Sequence, residues 1–422
     1  MDIINEVSGI IDEIKEVRRR LHKSPELGLD LPKTKKIVRD YLAKIGCLPK
    51  ECGKGGLTLE IGENKGECVL IRADMDGLEI TEDNSLCFKS ENGRMHACGH
   101  DMHTAMLLGA CKILKKWEKA LPVCVKVMLQ GGEELLVGAE EMIKNGVMEK
   151  PRVVAGGMVH VLTGTKAKTG TIFLGKAGST SPYANFFKIE VRGKGTHGAM
   201  TSQGKDPINA LCHIILALQA ITTRELPFVD SASISIGMVR GGKSPNAIPE
   251  TATLEGSVRS MSKENQEYAV SRIKEIATLV SHAFNTEATV ILNGSAPPLK
   301  NDEFLLKRSE ECLKKLFGKQ MVISYGNMSD DGVSKNTGSE DFANVTQLVP
   351  SVMVGISAGL GSFDRECPLH SPQVIFDEDA LFHGTCTYLS LATEILPRVV
   401  LRHIDNAEND AISLFQNEMK EF

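Results

Sequence analysis

Within the segment "MHACGHDMH", residues 95–103, the six positions from Cys98 to His103 hold four side chains of types that bind metal ions. They are Cys98, His100, Asp101 and His103. A thiolate suits zinc and other late transition ions, and imidazole and carboxylate groups complete such sites. In an extended segment Cys98 and His100 lie on the same side, while Asp101 can cap a helix that begins near His103. The segment therefore predicts a metal site directly before a helix.

Further metal-capable side chains stand where predicted strands end, namely Asp74, Asp76, Glu133, Glu134, His160 and His370. In an open α/β sheet, ligands bind beyond the carboxyl ends of the strands, so these side chains converge on one edge. If Glu134, His160 and His370 meet Cys98 and His100, five ligands are present, more than a closed tetrahedral site needs. Two ions that share a bridging ligand would use all five. Such a pair can hold a hydroxide and polarise a carbonyl, which is the chemistry of metal-assisted amide hydrolysis.

This chemistry also needs a proton shuttle that does not bind metal. Glu133 and Glu134 are neighbours whose side chains diverge, so one can bind metal while the other faces the water. Spacing alone does not settle which is which. Asp76 is a candidate for the outer carboxylate that orients a ligating histidine.

Each of these residues also has an ordinary structural explanation. A Glu-Glu pair is usually a solvated helix start, a lone histidine such as His160 is usually a hydrogen-bonded core residue, and Cys98 alone could be an inert buried thiol. The position of the glutamates after a buried strand and two glycines favours a site. A redox role for Cys98 is disfavoured because no second cysteine lies within a few residues.

Composition excludes several other classes of protein. A chain of 422 residues is long enough for two domains, and its formal net charge of -5 offers no basic surface for nucleic acid. Eleven cysteines without a CxxC pair indicate reduced thiols in a cytoplasm. The acidic, amphipathic N-terminus is unlike an export signal, and the apolar stretch "LCHIILALQAI" is too short to cross a membrane.

Strands and helices alternate along most of the chain, which predicts a mostly parallel α/β sheet covered by helices. Between residues 182 and 295 the order becomes β-α-β-β-α-β, a split ferredoxin-like α+β arrangement. Because α/β signals resume after "APPL", this unit is predicted to be inserted into the first domain. The predicted catalytic domain is therefore 1–181 and 296–397, followed by a polar tail, 398–422.

Three residues of the inserted unit could bind a substrate. Taken singly, His197, Asn246 and Arg259 are best explained as turn, loop and strand-end residues. In a cleft, however, an arginine and an asparagine would clamp a substrate carboxylate, and a histidine would stabilise a tetrahedral oxyanion.

The order and spacing of these motifs resemble the metal-dependent amidohydrolases and carboxypeptidases, which include aminoacylases, hippurate hydrolases, N-acetyl-diaminopimelate deacetylases and auxin-conjugate hydrolases. The resemblance extends nearly end to end. The motifs that carry it are "RRRLHKSPELG", "RADMDGLEI", "MHACGHDMH", "LQGGEE", "VHV", "GKGTHGAM", "NAIPE", "GSVRS", "GSEDFANV" and "LHSPQVIFDEDAL".

The resemblance implies a cytoplasmic homodimeric enzyme that cleaves the amide bond of an N-acyl amino acid or short peptide with two divalent ions, Zn, Mn, Co or Ni. A metal-bridging hydroxide would attack the carbonyl, with Glu133 as general base. The ligands would be Cys98 as the bridge, His100, Glu134, His160 and His370. The inserted domain would serve as lid and dimerisation surface, with His197 reaching the partner's site and Asn246 and Arg259 holding the substrate carboxylate. The rival hypothesis is an inactive metal-binding homologue that serves as a binding or sensing module, which the intact Glu133 and ligand set disfavour.

Three departures from the family pattern concern the surroundings of the site. Gly131 and Gly132 replace Pro-Ala before the glutamates, and we expect them to loosen the backbone beside the base. Met102 stands where glycine is usual, and we expect it to narrow the pocket. "GLEI" follows Asp76 where Ala-Leu-Pro is usual. None of these changes removes a ligand.

Overall fold

The helices and strands alternate as the sequence predicts. The computed structural model describes residues 1–227, 232–324, 338–362 and 366–400. The helices are α1 (Ile3–Ser8), α2 (Ile11–His22), α3 (Pro32–Lys44), α4 (His100–Lys116), α5 (Gly138–Lys144), α6 (Pro207–Ala220), α7 (Lys263–Ala283), α8 (Glu303–Phe317), α9 (Ala343–Thr346) and α10 (Ala380–Ser390). The strands are β1 (Lys50–Cys52), β2 (Gly56–Ile61), β3 (Glu67–Asp74), β4 (Cys124–Gln130), β5 (Arg152–Leu162), β6 (Ile172–Leu174), β7 (Gly178–Ser179), β8 (Tyr183–Arg192), β9 (Thr196–His197), β10 (Ala232–Gly241), β11 (Ala247–Ile248), β12 (Thr251–Ser260), β13 (Glu287–Ala296), β14 (Lys300–Asn301), β15 (Val322–Ser324) and β16 (Ser351–Ser357).

An eight-stranded sheet in the order β1-β2-β4-β3-β5-β16-β6-β15 forms the larger core. Its four central strands, β4, β3, β5 and β16, run parallel, so their carboxyl ends share one edge. These strands are aliphatic on both sides because helices cover both faces, α2, α4 and α10 on one and α5 and α9 on the other. The predicted mostly parallel α/β fold is confirmed.

Glycine ends two helices of this core. Gly46, which follows α3, has φ 76°, and its amide donates to the Ala43 carbonyl. Gly146, which follows α5, has φ 84°. Glycine reaches this left-handed region without strain, so it ends a helix readily.

A second sheet, in the antiparallel order β10-β12-β8-β13, packs against α6 and α7 around its own apolar core. The chain order is the predicted β-α-β-β-α-β. Asp206 caps α6 by accepting from the amides of Ile208 and Asn209, and Ser262 caps α7 by accepting from the amide of Asn265.

The chain enters and leaves this second unit at adjacent points. β7 and β14 pair with each other just outside it, and the Leu299 amide donates to the Ser181 hydroxyl at 2.8 Å. Of the predicted tail, Val399 and Val400 are buried in the larger core, while residues 401–422 lie outside the described residues.

Two features bear on the cellular setting. All eleven cysteines are free. Among the helices of the described ranges, none is both long and apolar enough for a bilayer crossing.

Candidate active site

The five predicted metal ligands come together at the carboxyl edge of the parallel strands. Two groups of ligand atoms form there, each with its atoms within 4.8 Å of one another: Cys98, His100 and His160 in one, and Cys98, Glu134 and His370 in the other. Cys98 belongs to both. Its sulfur lies 3.7 Å from Nε2 of His160, and Oε1 of Glu134 lies 3.6 Å from Nε2 of His370.

Backbone carbonyls orient two of the histidines. Nδ1 of His100 donates to the carbonyl of Asp76 at 2.9 Å, and Nδ1 of His160 donates to the carbonyl of Val161 at 2.7 Å. In each ring the other nitrogen, Nε2, is thereby left for the cluster. A hydrogen bond of this kind fixes the tautomer that a metal ligand needs.

The local path of the "MHACGHDMH" segment differs from the expectation. Gly99 has φ 86° and is followed at once by α4, so His100 is the first helical residue instead of part of an extended segment. A side chain on Gly99 would collide with Val161, so the turn fits only glycine. The predicted cap by Asp101 is wrong, because the helix has no side-chain cap.

Asp101 instead fastens α4 to α2. Its carboxylate accepts from Nε of Arg18 at 2.7 Å and lies 2.9 Å from Nδ1 of His22, and all three side chains are buried. Burial alone would raise the pKa of Asp101, but the charges of Arg18 and His22 hold that pKa well below its usual range. Asp101 therefore holds the start of α4 in place, next to the predicted ligand His100.

His103 also has a structural role. Its Nδ1 donates to Asp74 at 2.6 Å, and its Nε2 accepts the amide of Val161 at 2.8 Å. Both nitrogens are therefore occupied, and the ring joins α4 to the strand that carries His160. Burial lowers the pKa of His103 to about 4, although the Asp74 carboxylate opposes this shift.

We expect His103 to make the free energy of unfolding of the metal-free protein depend on pH. Between the ordinary pKa of 6.5 and the folded value of about 4, the unfolded chain binds more protons, so the free energy of unfolding falls as pH decreases. Glutamine can still donate and accept hydrogen bonds but does not titrate. For His103→Gln, the free energy of unfolding measured in urea should therefore fall less between pH 7 and pH 5 than it does for the wild type. His282→Gln, at an exposed position, is the control. An equal fall in the free energy of unfolding for the wild type, His103→Gln and His282→Gln would contradict this role of His103.

Asp76 holds the pair of glutamates. Its carboxylate accepts from the amide of Glu133 at 3.1 Å and from the amide of Glu134 at 3.2 Å. Since its carbonyl also accepts from His100, one residue positions a ligand ring and the turn after β4. The prediction gave the orienting role to the Asp76 carboxylate, whereas the histidine contacts the backbone carbonyl and the carboxylate holds the two glutamate amides.

Sequence reasoning missed a buried ionic network beneath Glu133. Arg72 is fully buried, and its guanidinium contacts Asp74 at 2.7 Å, Glu340 at 2.9 Å and Asp341 at 3.0 Å. Oxygen atoms of Glu133, Glu340 and Asp341 lie within 4.8 Å of one another. Burial and the neighbouring Glu340 raise the pKa of Glu133 well above its usual range. An arginine inside an aliphatic strand was the available signal, because a buried charge needs partners.

The three predicted substrate-binding residues lie in two places. The Arg259 guanidinium donates to the hydroxyl of Ser339 at 2.6 Å and lies near the charge of Glu133. His197 lies in β9 and Asn246 directly precedes β11, the short strand that pairs antiparallel with β9, and both residues are exposed. Within the described residues, no hydrogen bond or ion pair joins either of them to the metal-capable cluster.

The cluster suits a pair of divalent ions. His100 Nε2 and Glu134 Oε1 are buried and lack a hydrogen-bond partner among the described residues. Buried polar atoms are rarely left unpaired. His100 belongs to the first of the two groups of ligand atoms and Glu134 to the second. Burial raises the pKa of Glu134 to about 7, a shift that a nearby cation would reverse. Thiolate, imidazole and carboxylate together favour late transition ions.

Two expectations about departures from the family pattern are wrong. Gly131 and Gly132 are not loose, because a side chain on Gly131 would lie 2.6 Å from Leu31 and one on Gly132 would lie 2.8 Å from Leu29. The two glycines let the N-terminal loop pack against the turn that carries Glu133. Met102 is fully buried in the apolar core of the larger sheet, so it does not narrow a pocket.

Three features define the class of metal-dependent amidohydrolases. They are a sheet whose central strands run parallel, this ligand cluster at the carboxyl edge of the sheet, and a ferredoxin-like unit beside it. Residues 70–394 match the profile of peptidase family M20/M25/M40. The chain belongs to this family.

Its relatives are enzymes that hydrolyse amide or peptide bonds. N-acetyl-L-cysteine deacetylase of Bacillus subtilis is 32% identical, covering 92% of this chain and 90% of its own. Hippurate hydrolase of Campylobacter jejuni is 31% identical, covering 94% and 100%.

Solved structures agree with these relatives. An aminohydrolase from methicillin-resistant Staphylococcus aureus has a TM-score of 0.74 at 28% identity, covering 93% of this chain and 98% of its own. A Bacillus subtilis protein described as a dinuclear metal binding peptidase has a TM-score of 0.66 at 28% identity, covering 93% and 99%. The protein is therefore a metal-dependent amidohydrolase with a catalytic α/β fold.

Proposed function

We propose that the protein hydrolyses the amide bond of N-acyl amino acids or short peptides, using two divalent ions held by Cys98, His100, Glu134, His160 and His370. The observation that carries this proposal is the membership of Cys98 in both groups of ligand atoms. Relatives named as an N-acetyl-L-cysteine deacetylase and a hippurate hydrolase support N-acyl amino acids, and a thermostable carboxypeptidase supports peptides. Zinc, manganese, cobalt and nickel are the candidate ions.

The chain's own residues supply the proton transfers. When bound, the ions would acidify water and polarise the scissile carbonyl. Glu133 accepts the proton of the attacking water and then delivers it to the leaving nitrogen. Its raised pKa suits this task, because a base buried beside Glu340 holds a proton more readily than a solvated carboxylate.

Substrate orientation falls to the inserted unit. Arg259 binds the substrate carboxylate, with Ser339 fixing its guanidinium at 2.6 Å. The proposed lid is residues 182–295, and the proposed catalytic domain is 1–181 and 296–397.

Homodimerisation through this unit would bring His197 to the partner's site, while Asn246 would join Arg259 in holding the substrate carboxylate. The exposure of His197 supports this arrangement. So do the exposed apolar residues of α6 and β10, which are Ile208, Leu216, Met238 and Val239. Eleven free cysteines support a cytoplasmic location.

The function is tested by turnover of the metal-reconstituted protein. Enzyme loaded with each of the four ions is assayed against N-acetyl amino acids, N-benzoyl amino acids and dipeptides. We expect release of the free amino acid from at least one class, abolished by a chelator and restored by metal. Stoichiometric metal binding without turnover of any class would contradict the proposal and favour a binding or sensing module.

His197 is expected to act in the partner subunit's site. Loss of one oxyanion donor typically lowers turnover by about two to three orders of magnitude, so His197→Ala should be crippled with its fold intact. Co-expression of His197→Ala with Glu133→Gln would place one intact base and one intact histidine in the same site of a mixed dimer. Activity well above that of either variant alone is the expected result. Failure of the mixture to recover would show that His197 acts within its own chain or not at all.

A further inference from the structure

The turn that carries Glu133 and Glu134 is fastened to the second, inserted sheet. The amide of Leu136 donates to the carbonyl of Glu133 at 2.8 Å, which closes the turn. The Leu136 carbonyl then accepts the amide of Ser295, in β13, at 3.1 Å. A main-chain hydrogen bond therefore links the inserted unit to the residues that follow the two glutamates.

Gly294 allows this close approach. The register of β13 against β8 shifts between Leu292 and Gly294, a bulge that re-aims the end of the strand. A side-chain carbon at Gly294 would lie far inside contact distance of the Leu135 carbonyl oxygen. The two backbones can therefore meet only while position 294 is glycine.

The conformation of Leu136 shows that this contact is tight. Leu136 has φ 54°, a left-handed value that is strained for a non-glycine residue. Its side chain is buried with Ala184 and Ala296, against Phe186, in a small cluster separate from the larger cores. These contacts with the inserted unit hold the strained residue in place.

The opposite side of the same turn is held by the catalytic sheet. The Asp76 carboxylate accepts the amides of both glutamates. The turn is thus suspended between two supports, one on the loop after β3 and one on β13. Where the two carboxylates lie depends on how the inserted unit is seated.

We propose that Gly294 is a positioning residue, which sets the place of Glu133 and Glu134 through the backbone of Leu135 and Leu136. The proposal rests on the function assigned above to these two glutamates. It makes the seating of the inserted unit a condition for a correctly built site, even though Gly294 touches neither substrate nor metal.

Gly294→Ala tests the proposal, with Gly237→Ala as its control in the same sheet, where a side-chain carbon would meet nothing within 4 Å. Displacement of a catalytic group by about 1 Å can lower turnover about 100-fold. We expect Gly294→Ala to lower kcat by about 10- to 100-fold with KM little changed. Titration with Zn²⁺ alone should show one of two ions bound more weakly, because Glu134 is displaced. Gly237→Ala should match the wild type in every measurement.

A metal-independent measurement separates this inference from the proposed function. In metal-free protein, Gly294→Ala should speed hydrogen exchange of the amides of residues 133–138 while leaving α4 protected. If the wild type binds two zinc ions but cleaves no amide, the proposed function fails, whereas the zinc and exchange results still decide the role of Gly294. Zinc binding, exchange and kcat equal to those of Gly237→Ala would overturn the inference. If Gly294→Ala does not fold, Leu136→Gly, which removes the anchoring side chain, decides by the same measurements.

Discussion

Glu133→Gln is expected to bind two metal ions and turn over about a thousand times more slowly than the wild type. Glutamine keeps the shape of the side chain but cannot accept a proton, and general acid–base groups contribute roughly 10²- to 10⁴-fold. The five ligands are unchanged, and Asp76 still accepts the backbone amide of residue 133. Steady-state kcat and the zinc stoichiometry of the purified protein measure the two halves of this expectation.

The matched control for this variant is Glu140→Gln, on α5. Glu140 pairs with Lys144 in a half-exposed contact, and such pairs contribute little to stability. Wild-type turnover is expected for it. Near-native turnover of Glu133→Gln would remove Glu133 from the mechanism and turn attention to Glu340, the buried carboxylate beside it.

Cys98→Ala is expected to have the broadest effect of any single change at a ligand. Both groups of ligand atoms include this sulfur, so its loss should weaken the binding of both ions, whereas His160→Ala should weaken the binding of one. Substitution of a residue that only orients a ligand typically lowers metal affinity by about 10- to 100-fold. Loss of a shared ligand should lower metal affinity by more than this. The measurements are zinc stoichiometry and kcat.

Cys87→Ala, at an exposed position outside the cluster, serves as the control and should behave as wild type. In the wild type, added zinc should protect Cys98 from alkylation, since a ligating thiolate is not free to react. Full zinc binding by Cys98→Ala, or alkylation that zinc does not slow, would show that the thiol is not a ligand.

Sequence patterns were enough to predict the strands and the edge of the sheet at which the candidate ligands lie, because both follow from local rules. Aliphatic runs covered on two faces predicted β3, β4 and β5, and the ligand candidates stand in or just after such strands. The side-chain caps of α6 and α7, Asp206 and Ser262, follow a local rule of the same kind. The parallel arrangement then brought side chains distant in sequence to one edge.

Contacts between distant residues could not be predicted in this way. The partners of Asp101 are Arg18 and His22, 83 and 79 residues away, and those of Arg72 include Glu340, 268 residues away. No periodicity or spacing encodes such a pairing, since each partner alone has the signature of an ordinary charged residue. The packing of Gly131 against the N-terminal loop was mistaken for flexibility for the same reason.

The side-by-side entry and exit of the chain at Ser181 and Leu299 has an evolutionary consequence. Because the two crossings are hydrogen-bonded neighbours, the whole β8–β13 unit could be acquired, exchanged or lost by one recombination event without breaking the order of the eight-stranded sheet. An ancestor that lacked the unit would have kept the eight-stranded sheet, but the turn that carries Glu133 and Glu134 would have lacked the support that β13 gives it.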